Sequence, residues 1–200
     1  MNKATNNTPR LETERLILRR FEPGDVDAVL AIYGDPQVMK FVPMYPLQSR
    51  EEAQAYLETH YLQAYKEEFG CLYAICLKED HVPIGYVHMD AGESHDFGYG
   101  LRKEFWRKGI ASEASEAVVG WLKQTGLPYI TATHDVNNPG SGGVMRRLGM
   151  KYCYSYRELW QPKNFWVTFR MYQLNLDGQD DRIYREYWDR FEDHFIEEIE

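Results

Sequence analysis

Two glycine-centred turns, each lying between a strand-like run and a helix-like run, constrain this chain more than any other feature. The first is F-W-R-K-G-I-A-S-E-A, Phe105 to Ala114; the second is N-N-P-G-S-G-G-V-M-R-R-L-G-M, Asn137 to Met150. Ahead of the first runs Phe97 to Leu101, a short strand, and behind it Ala111, Ala114, Val118, Trp121 and Leu122 recur on one helical face. Tyr129 to Val136 reads as a further strand before the second turn. Strand, helix, strand and helix in that order predict a sheet covered by helices, and the small residues of the first helix permit close packing on it.

The flanking segments extend this pattern. Leu11 to Phe21 reads as a strand ending at Pro23-Gly24, and Val26, Val29, Leu30 and Tyr33 give a helix from Asp25 to Gly34. Ser49-Arg-Glu-Glu52 has capping-box spacing and starts a second helix running to about Glu68, closed by Gly70. Leu72 to Leu77 and Pro83 to Met89 suggest a hairpin, and Lys151 to Leu159 with Phe165 to Leu174 a final strand pair. The fold class is therefore α/β (α+β), a mixed, mostly antiparallel central sheet flanked by helices. Residues 1–10 are polar and expected to be disordered, and one domain spans 11–176. In 177–200, Ile183, Tyr184, Tyr187, Trp188, Phe191, Phe195 and Ile199 predict one face of an acidic amphipathic helix. Such a face has to pack on its own domain or form a homodimer with a second copy.

Charge excludes some partners. With 23 Lys and Arg against 31 Asp and Glu, the net charge of -8 argues against general nucleic-acid binding. No run of about 18 apolar residues is present and the first nine residues lack an apolar stretch, so the expectation is a cytoplasmic protein without a membrane partner. Cys71, Cys76 and Cys153 are odd in number and suit reduced thiols. His88, His95 and His134 lie in separate segments without ligand spacing, so no metal is expected.

Locally the acidic chain is basic. Arg102, Lys103, Arg107 and Lys108 place four cations within seven residues beside Gly109. A helix start leaves backbone N–H groups unpaired and carries a partial positive charge, so the turn reads as an anion cradle. Solvated surface is the competing reading. A Walker loop needs Gly-Lys-Ser/Thr in that order, and a dinucleotide fingerprint needs a third glycine after Gly98-Tyr-Gly100; neither is present.

The two turns together resemble the GNAT N-acetyltransferase superfamily. Its phosphate motif, Q/R-x-x-G-x-G/A, aligns with Trp106-Arg-Lys-Gly109-Ile-Ala111, and its later N-x-x-S/A, aliphatic helix and L-G-F/M align with Asn138 to Ser141 and Leu148-Gly149-Met150. The opening L-E-T-E-R-L-I-L-R is similar to the subgroup acetylating ribosomal-protein N-termini. Trp106 departs from the usual Gln or Arg. The resemblance covers roughly residues 11–174 and leaves the last segment out.

The resemblance implies splayed strands holding acetyl-coenzyme A as co-substrate. Its pyrophosphate would sit on the turn Arg107, Lys108, Gly109, Ile110, Ala111 and Ser112, beside Trp106, and its pantetheine arm would pair with the backbone at Leu101 and Arg102. Asn138 would hold that arm. A tyrosine often serves as proton donor on the second helix, but that position here is Met145, which leaves Ser141 as candidate acid or as a plain helix N-cap. Asp96 is the candidate general base, against an ordinary turn aspartate. Glu113 complements the helix dipole.

The implied activity is transfer of an acetyl group to a primary amine, a small molecule or a protein N-terminus, and the acidic composition would suit a cationic one. The aromatic residues Phe41, Tyr45, Tyr56, Tyr61 and Tyr65 mark the acceptor side. The alternative is a non-catalytic acyl-coenzyme A sensing module of the same fold.

Overall fold

A computed structural model describes residues 6–199. Ten strands and five α-helices follow one another as β1 (Asn6–Asn7), β2 (Leu11–Glu12), β3 (Leu16–Arg19), α1 (Val26–Tyr33), α2 (Arg50–Tyr56), β4 (Phe69–Leu77), β5 (Pro83–Met89), β6 (Phe97–Leu101), α3 (Ile110–Leu122), β7 (Tyr129–Asp135), α4 (Pro139–Arg147), β8 (Lys151–Trp160), β9 (Phe165–Asn175), α5 (Glu186–Arg190) and β10 (His194–Phe195). The expected mixed, mostly antiparallel α/β architecture is present.

One sheet has the order β2-β3-β4-β5-β6 with β1 alongside β4; the other has the order β10-β8-β9-β7. They meet between β6 and β7, which run parallel and are joined through α3. A single bridge, Asp96 to Thr131, links these two strands among the described residues. The Thr131 N–H donates to the His95 carbonyl at 3.3 Å, the Thr131 hydroxyl to the Ser94 carbonyl at 2.8 Å and the Tyr129 hydroxyl to the Glu93 carbonyl at 2.7 Å. Beyond this clamp the strands diverge toward Leu101 and Asp135. The fold thus holds a wedge-shaped gap, closed at one end.

Apolar side chains fill both sides of the first sheet. Ile110, Ala114, Val118 and Leu122 of α3 pack with Leu18, Ile75, Val87 and Phe97 on one face. Val29 and Ile32 of α1 and Ala53 of α2 pack with Ala74 and Tyr86 on the other. The alternation of strand side chains between faces explains why these strands read as nearly continuous apolar runs. The second helix begins as expected: Ser49 accepts from the Glu52 N–H at 3.2 Å, while the Glu52 carboxylate accepts from the Gln48 N–H at 2.7 Å, one residue earlier than a standard capping box. It continues through a π turn at Leu57–Leu62 and a 3-10 turn at Ala64–Lys66.

Both termini differ from expectation. Residues 1–5 lie outside the described residues, but residues 6–10 are ordered. β1 pairs in parallel with Phe69 and Gly70, and the buried Asn7 amide donates to the Ala64 and Glu67 carbonyls at 2.9 and 3.0 Å. The Asn7 amide thus finds carbonyl partners at the end of the turn that precedes β4, which satisfies a polar side chain in a buried position.

Residues 177–199 do not form one amphipathic helix; only Glu186–Arg190 is α-helical. Gln173 captures the preceding loop, accepting from the Tyr184 N–H at 2.7 Å and donating to the Arg182 carbonyl at 2.8 Å. After α5, β10 adds to the edge of β8, and the Arg157 N–H bonds the Asp193 carbonyl at 2.8 Å. The unpaired edge of β8 outcompetes helix propagation. Of the face expected to pack on its own domain or on a second copy, Tyr184, Tyr187, Trp188 and Phe191 pack on Tyr154 and Tyr156 within the chain, while Ile183 and Phe195 are exposed.

Candidate functional site

Backbone parity decides what β6 offers the gap. The Arg102 N–H donates to the Ile84 carbonyl, and the Asp96 carbonyl accepts from the Asp90 N–H, both at 2.9 Å. Residues 96, 98, 100 and 102 therefore turn their main-chain groups toward β5, and Phe97, Tyr99 and Leu101 turn theirs toward β7. This corrects one expectation. Leu101 faces the gap but Arg102 does not; its N–H is spent inside the sheet, and its guanidinium pairs with Glu104. The Leu101 carbonyl accepts from the Trp106 indole at 2.7 Å, which ties the exposed Trp106 ring to the end of the strand.

The phosphate-like turn is built from left-handed backbone. Arg107 has φ 58° and Gly109 φ 75°, and α3 starts at Ile110. A Cβ on Gly109 would meet nothing nearer than Arg15 at 3.6 Å, so glycine is required there by φ and not by space. The first helical bond runs from the Glu113 N–H to the Gly109 carbonyl at 3.0 Å, leaving the N–H groups of Ile110, Ala111 and Ser112 at the helix start. Arg107, Gly109, Ile110, Ala111 and Ser112 line the cleft. Lys108 does not line it. Its carbonyl accepts from Arg15 at 3.1 Å and its ammonium lies over the Phe105 ring at 5.5 Å.

Sequence reasoning missed the brace behind this turn. The Arg15 N–H donates to Glu113 at 3.1 Å, the Arg15 guanidinium reaches both the Glu113 carboxylate and the Lys108 carbonyl, and the Thr13 hydroxyl adds a further bond to Glu113. Burial alone would raise the Glu113 pKa, but hydrogen bonds from Thr13 and Arg15 hold it below the ordinary value. Glu113 is thus an anchor as well as a helix-dipole partner. Its signal lay in the T-E-R of the first strand pair.

Across the gap, α4 opens with Asn138 as N-cap and Pro139 as first residue, so Ser141 lies inside the first turn and is not the cap. The Tyr99 hydroxyl donates to the Ser141 carbonyl at 2.7 Å and lies 3.1 Å from Ser141 Oγ. Tyr99 was overlooked by sequence reasoning, although its parity with Phe97 and Leu101 was readable. Met145, at the position where relatives often carry a tyrosine, is buried. His134 donates from Nδ1 to the Asp135 carbonyl at 2.8 Å, and burial lowers its pKa, so it is a neutral packing residue under Gly142.

The opposite face of β6 is opened by glycines. A Cβ on Gly98 would come within 2.5 Å of the His88 imidazole, and one on Gly100 within 2.6 Å of the Tyr86 ring. Asp96 shares that face at the closed end of the gap. The residue is half-buried, but its Oδ1 is buried with no hydrogen-bond partner among the described residues, and desolvation, helped by the Asp90 charge, raises its pKa to about 7. Burial also lowers the His88 pKa to about 4, so that ring is neutral. Asp96, Asn138, Ser141 and the turn line one cleft of about 910 Å³. Glu158, Trp160, Tyr187 and Phe191, none of them expected from the sequence, line it too. Among the described residues no group of three or more His, Cys, Asp or Glu side chains could hold a metal ion, and no helix is long and apolar enough to cross a membrane.

A family model described as an acetyltransferase (GNAT) domain matches residues 15–151. The uncharacterized N-acetyltransferase YoaA of Bacillus subtilis (strain 168) is 29% identical over 148 residues, which cover 72% of this chain and 83% of that protein. Among solved structures, a GNAT-family acetyltransferase from Bacillus anthracis superposes with a TM-score of 0.72 at 23% identity, covering 85% of this chain and all of its own. RimL, a ribosomal L7/L12 alpha-N-protein acetyltransferase solved in complex with coenzyme A, superposes with a TM-score of 0.74 at 18% identity, covering 85% of this chain and 99% of its own. The matched span contains the clamp, the diverging strands and both glycine turns, and on these grounds the chain belongs to the GNAT acetyltransferase family and is an N-acetyltransferase.

Proposed function

We propose that the protein transfers the acetyl group of acetyl-coenzyme A to a primary amine by direct attack on the thioester. The observation that carries this reading is the gap itself, with a helix-start amide cradle at its open end and a buried carboxyl with a pKa near 7 at its closed end. The N–H groups of Ile110, Ala111 and Ser112, with Arg107, suit a pyrophosphate. The gap-facing main chain of Phe97, Tyr99 and Leu101 suits an extended amide arm as a strand would, and Asn138 flanks that arm from α4. A gap-facing N–H aimed at the thioester oxygen would stabilise the charge developing there.

Asp96 takes the proton from the ammonium form of the acceptor, whose nitrogen then attacks the carbonyl carbon as the carbon–sulfur bond breaks. The departing thiolate takes a proton from the hydroxyl pair Tyr99 and Ser141. The test is release of free thiol when the protein is mixed with acetyl-coenzyme A and a panel of peptides, aminoglycosides, polyamines and arylalkylamines. Turnover of any member supports the reading; binding of coenzyme A with no thiol release across the panel would sink it.

A further inference from the structure

We infer that the C-terminal segment completes the acceptor half of this site, with Tyr187, Arg190 and Phe191 as specificity-determining residues for a primary amine that carries an apolar ring. This rests on the acetyl-transfer reading and extends it to the acceptor.

These residues belong to the segment that follows β9 and lies outside the matched span 15–151. They nevertheless line the same cleft as Asp96. Their placement is fixed on both sides: Gln173 holds the backbone at Tyr184, while β10 on β8 and the Arg157–Asp193 pair at 3.0 Å hold it after Phe191. Within that span Tyr187 and Phe191 stack on Tyr156 at 5.2 and 4.9 Å, yet both stay partly exposed on the cleft side. A segment needed only to cover the sheet would bury both rings.

The chemistry of the walls selects among amines. The charged residues lining the cleft are Arg107, Arg147 and Arg190 against Asp96, Asp135 and Glu158, so the overall negative charge is not concentrated here. Arg107 and Arg147 lie on or near the glycine turns; at the acceptor end burial raises the Glu158 pKa while the Arg190 charge opposes it. That end therefore sets Arg190 against Asp96 and Glu158 and is otherwise lined by apolar side chains and rings, Val38, Phe41 and Trp160 among them. Its far side is latched: the Lys163 ammonium donates to the Met39 carbonyl at 2.5 Å and the Tyr45 hydroxyl to the Pro162 carbonyl at 3.1 Å. Such a pocket disfavours a polycation, which would leave its extra charges unpaired among rings, and accommodates an apolar group beside the reacting nitrogen.

The test compares 2-phenylethylamine, a hexapeptide beginning with Phe and spermidine as acceptors for the full chain and for Phe191→Ala and Phe191→Leu, with coenzyme A binding measured by calorimetry. The expected result is wild-type preference for the phenyl-bearing amines over spermidine, with whichever of the two is faster identifying a free amine or a peptide terminus as the source. Phe191→Ala should raise KM for the preferred acceptor about tenfold, the loss of a hydrophobic pocket contact, with kcat and coenzyme A affinity unchanged, and Phe191→Leu should restore most of it. Faster turnover of spermidine, or coenzyme A binding with no turnover of either phenyl amine, overturns the acceptor class. Equal losses for all three amines in Phe191→Ala overturn the specificity role. Absence of coenzyme A binding to the wild type defeats the acetyl-transfer reading itself.

Discussion

The Tyr99 hydroxyl reaches from β6 across the gap to α4, donating to the Ser141 carbonyl at 2.7 Å with Ser141 Oγ 3.1 Å away. Either hydroxyl can donate to the other, so the two can act as one relay that delivers a proton from Ser141 or Tyr99. Burial pushes the Tyr99 pKa well above the ordinary tyrosine range, so it stays protonated throughout the working pH. Tyr99→Phe should lower kcat by roughly 10²-fold or more, the range for a lost general acid, and leave KM for acetyl-coenzyme A within about twofold. Ser141→Ala should cost less, because Tyr99 keeps its carbonyl partner. Steady-state kinetics on both variants and the double variant check this; additive losses would mean that the hydroxyls act separately.

Asp96 links activity and stability through one titration. Its pKa is raised from 3.8 to about 7 by burial, so folding favours the protonated carboxyl. The wild type is therefore most stable below about pH 4 with respect to this group, loses stability as pH rises from there to about 7, and changes no further above. The total is on the order of 4 kcal/mol. Asp96→Asn removes the term, so its melting temperature should gain on the wild type between pH 5 and pH 8. Its kcat/KM should fall roughly 10²- to 10⁴-fold, and the rise of activity through pH 7 expected of a carboxylate base should disappear.

The proposed cofactor half of the site was legible in the sequence because it is local. A glycine, a helix start and flanking cations sit within ten residues, and physical chemistry assigns them an anion without knowledge of the rest of the chain. Arg102 and Lys108 were misplaced for want of parity: β6 pairing sends position 102 into the sheet, and the left-handed Arg107 turns Lys108 away. In the acceptor half Asp96 and Phe41 were readable, but Glu158 and Phe191 were not, because they reach Asp96 only through the bridge of β6 to β7 and the pairing of β7 with β9, β9 with β8 and β8 with β10. Tyr184, Tyr187, Trp188 and Phe191 satisfy helical spacing, yet the helix ends at Arg190 because the edge of β8 supplies bonds that helix propagation would forgo.

The brace from Arg15 to Glu113 and the Lys108 carbonyl should set cofactor affinity without touching chemistry. Arg15 is about half exposed, so its removal is no threat to the core and the ion pair by itself contributes little. Arg15→Ala frees the turn to move, and the Kd for coenzyme A should rise about three- to tenfold with kcat at saturation unchanged. Glu113→Gln should behave alike above the ordinary carboxyl pKa, whereas the two proteins should converge as pH falls and the wild-type carboxyl, held low by its donors, is finally protonated. Calorimetric titration at pH 7.5 and at pH values stepped below the ordinary carboxyl pKa measures both; equal affinities at the higher pH would show that the turn holds itself.

Two glycines of the cofactor helix region, both with room for a methyl group, should respond in opposite directions. Gly109 has φ 75° with its nearest neighbour to a Cβ at 3.6 Å, and Gly120 sits on the exposed face of α3 with nothing within 4 Å. Alanine at position 109 has to occupy left-handed backbone, costing about 1 kcal/mol, or else shift the amides that follow it. Alanine at position 120 replaces the poorest non-proline helix former in ordinary helical backbone, a gain of about 0.5–1 kcal/mol. Gly109→Ala should therefore melt lower and bind coenzyme A more weakly, while Gly120→Ala should melt higher and bind it as the wild type does. Thermal melts with and without coenzyme A separate the two effects: the ligand-induced rise in Tm should shrink in Gly109→Ala and persist in Gly120→Ala. An undiminished rise in Gly109→Ala would mean that the left-handed turn has no part in holding the ligand.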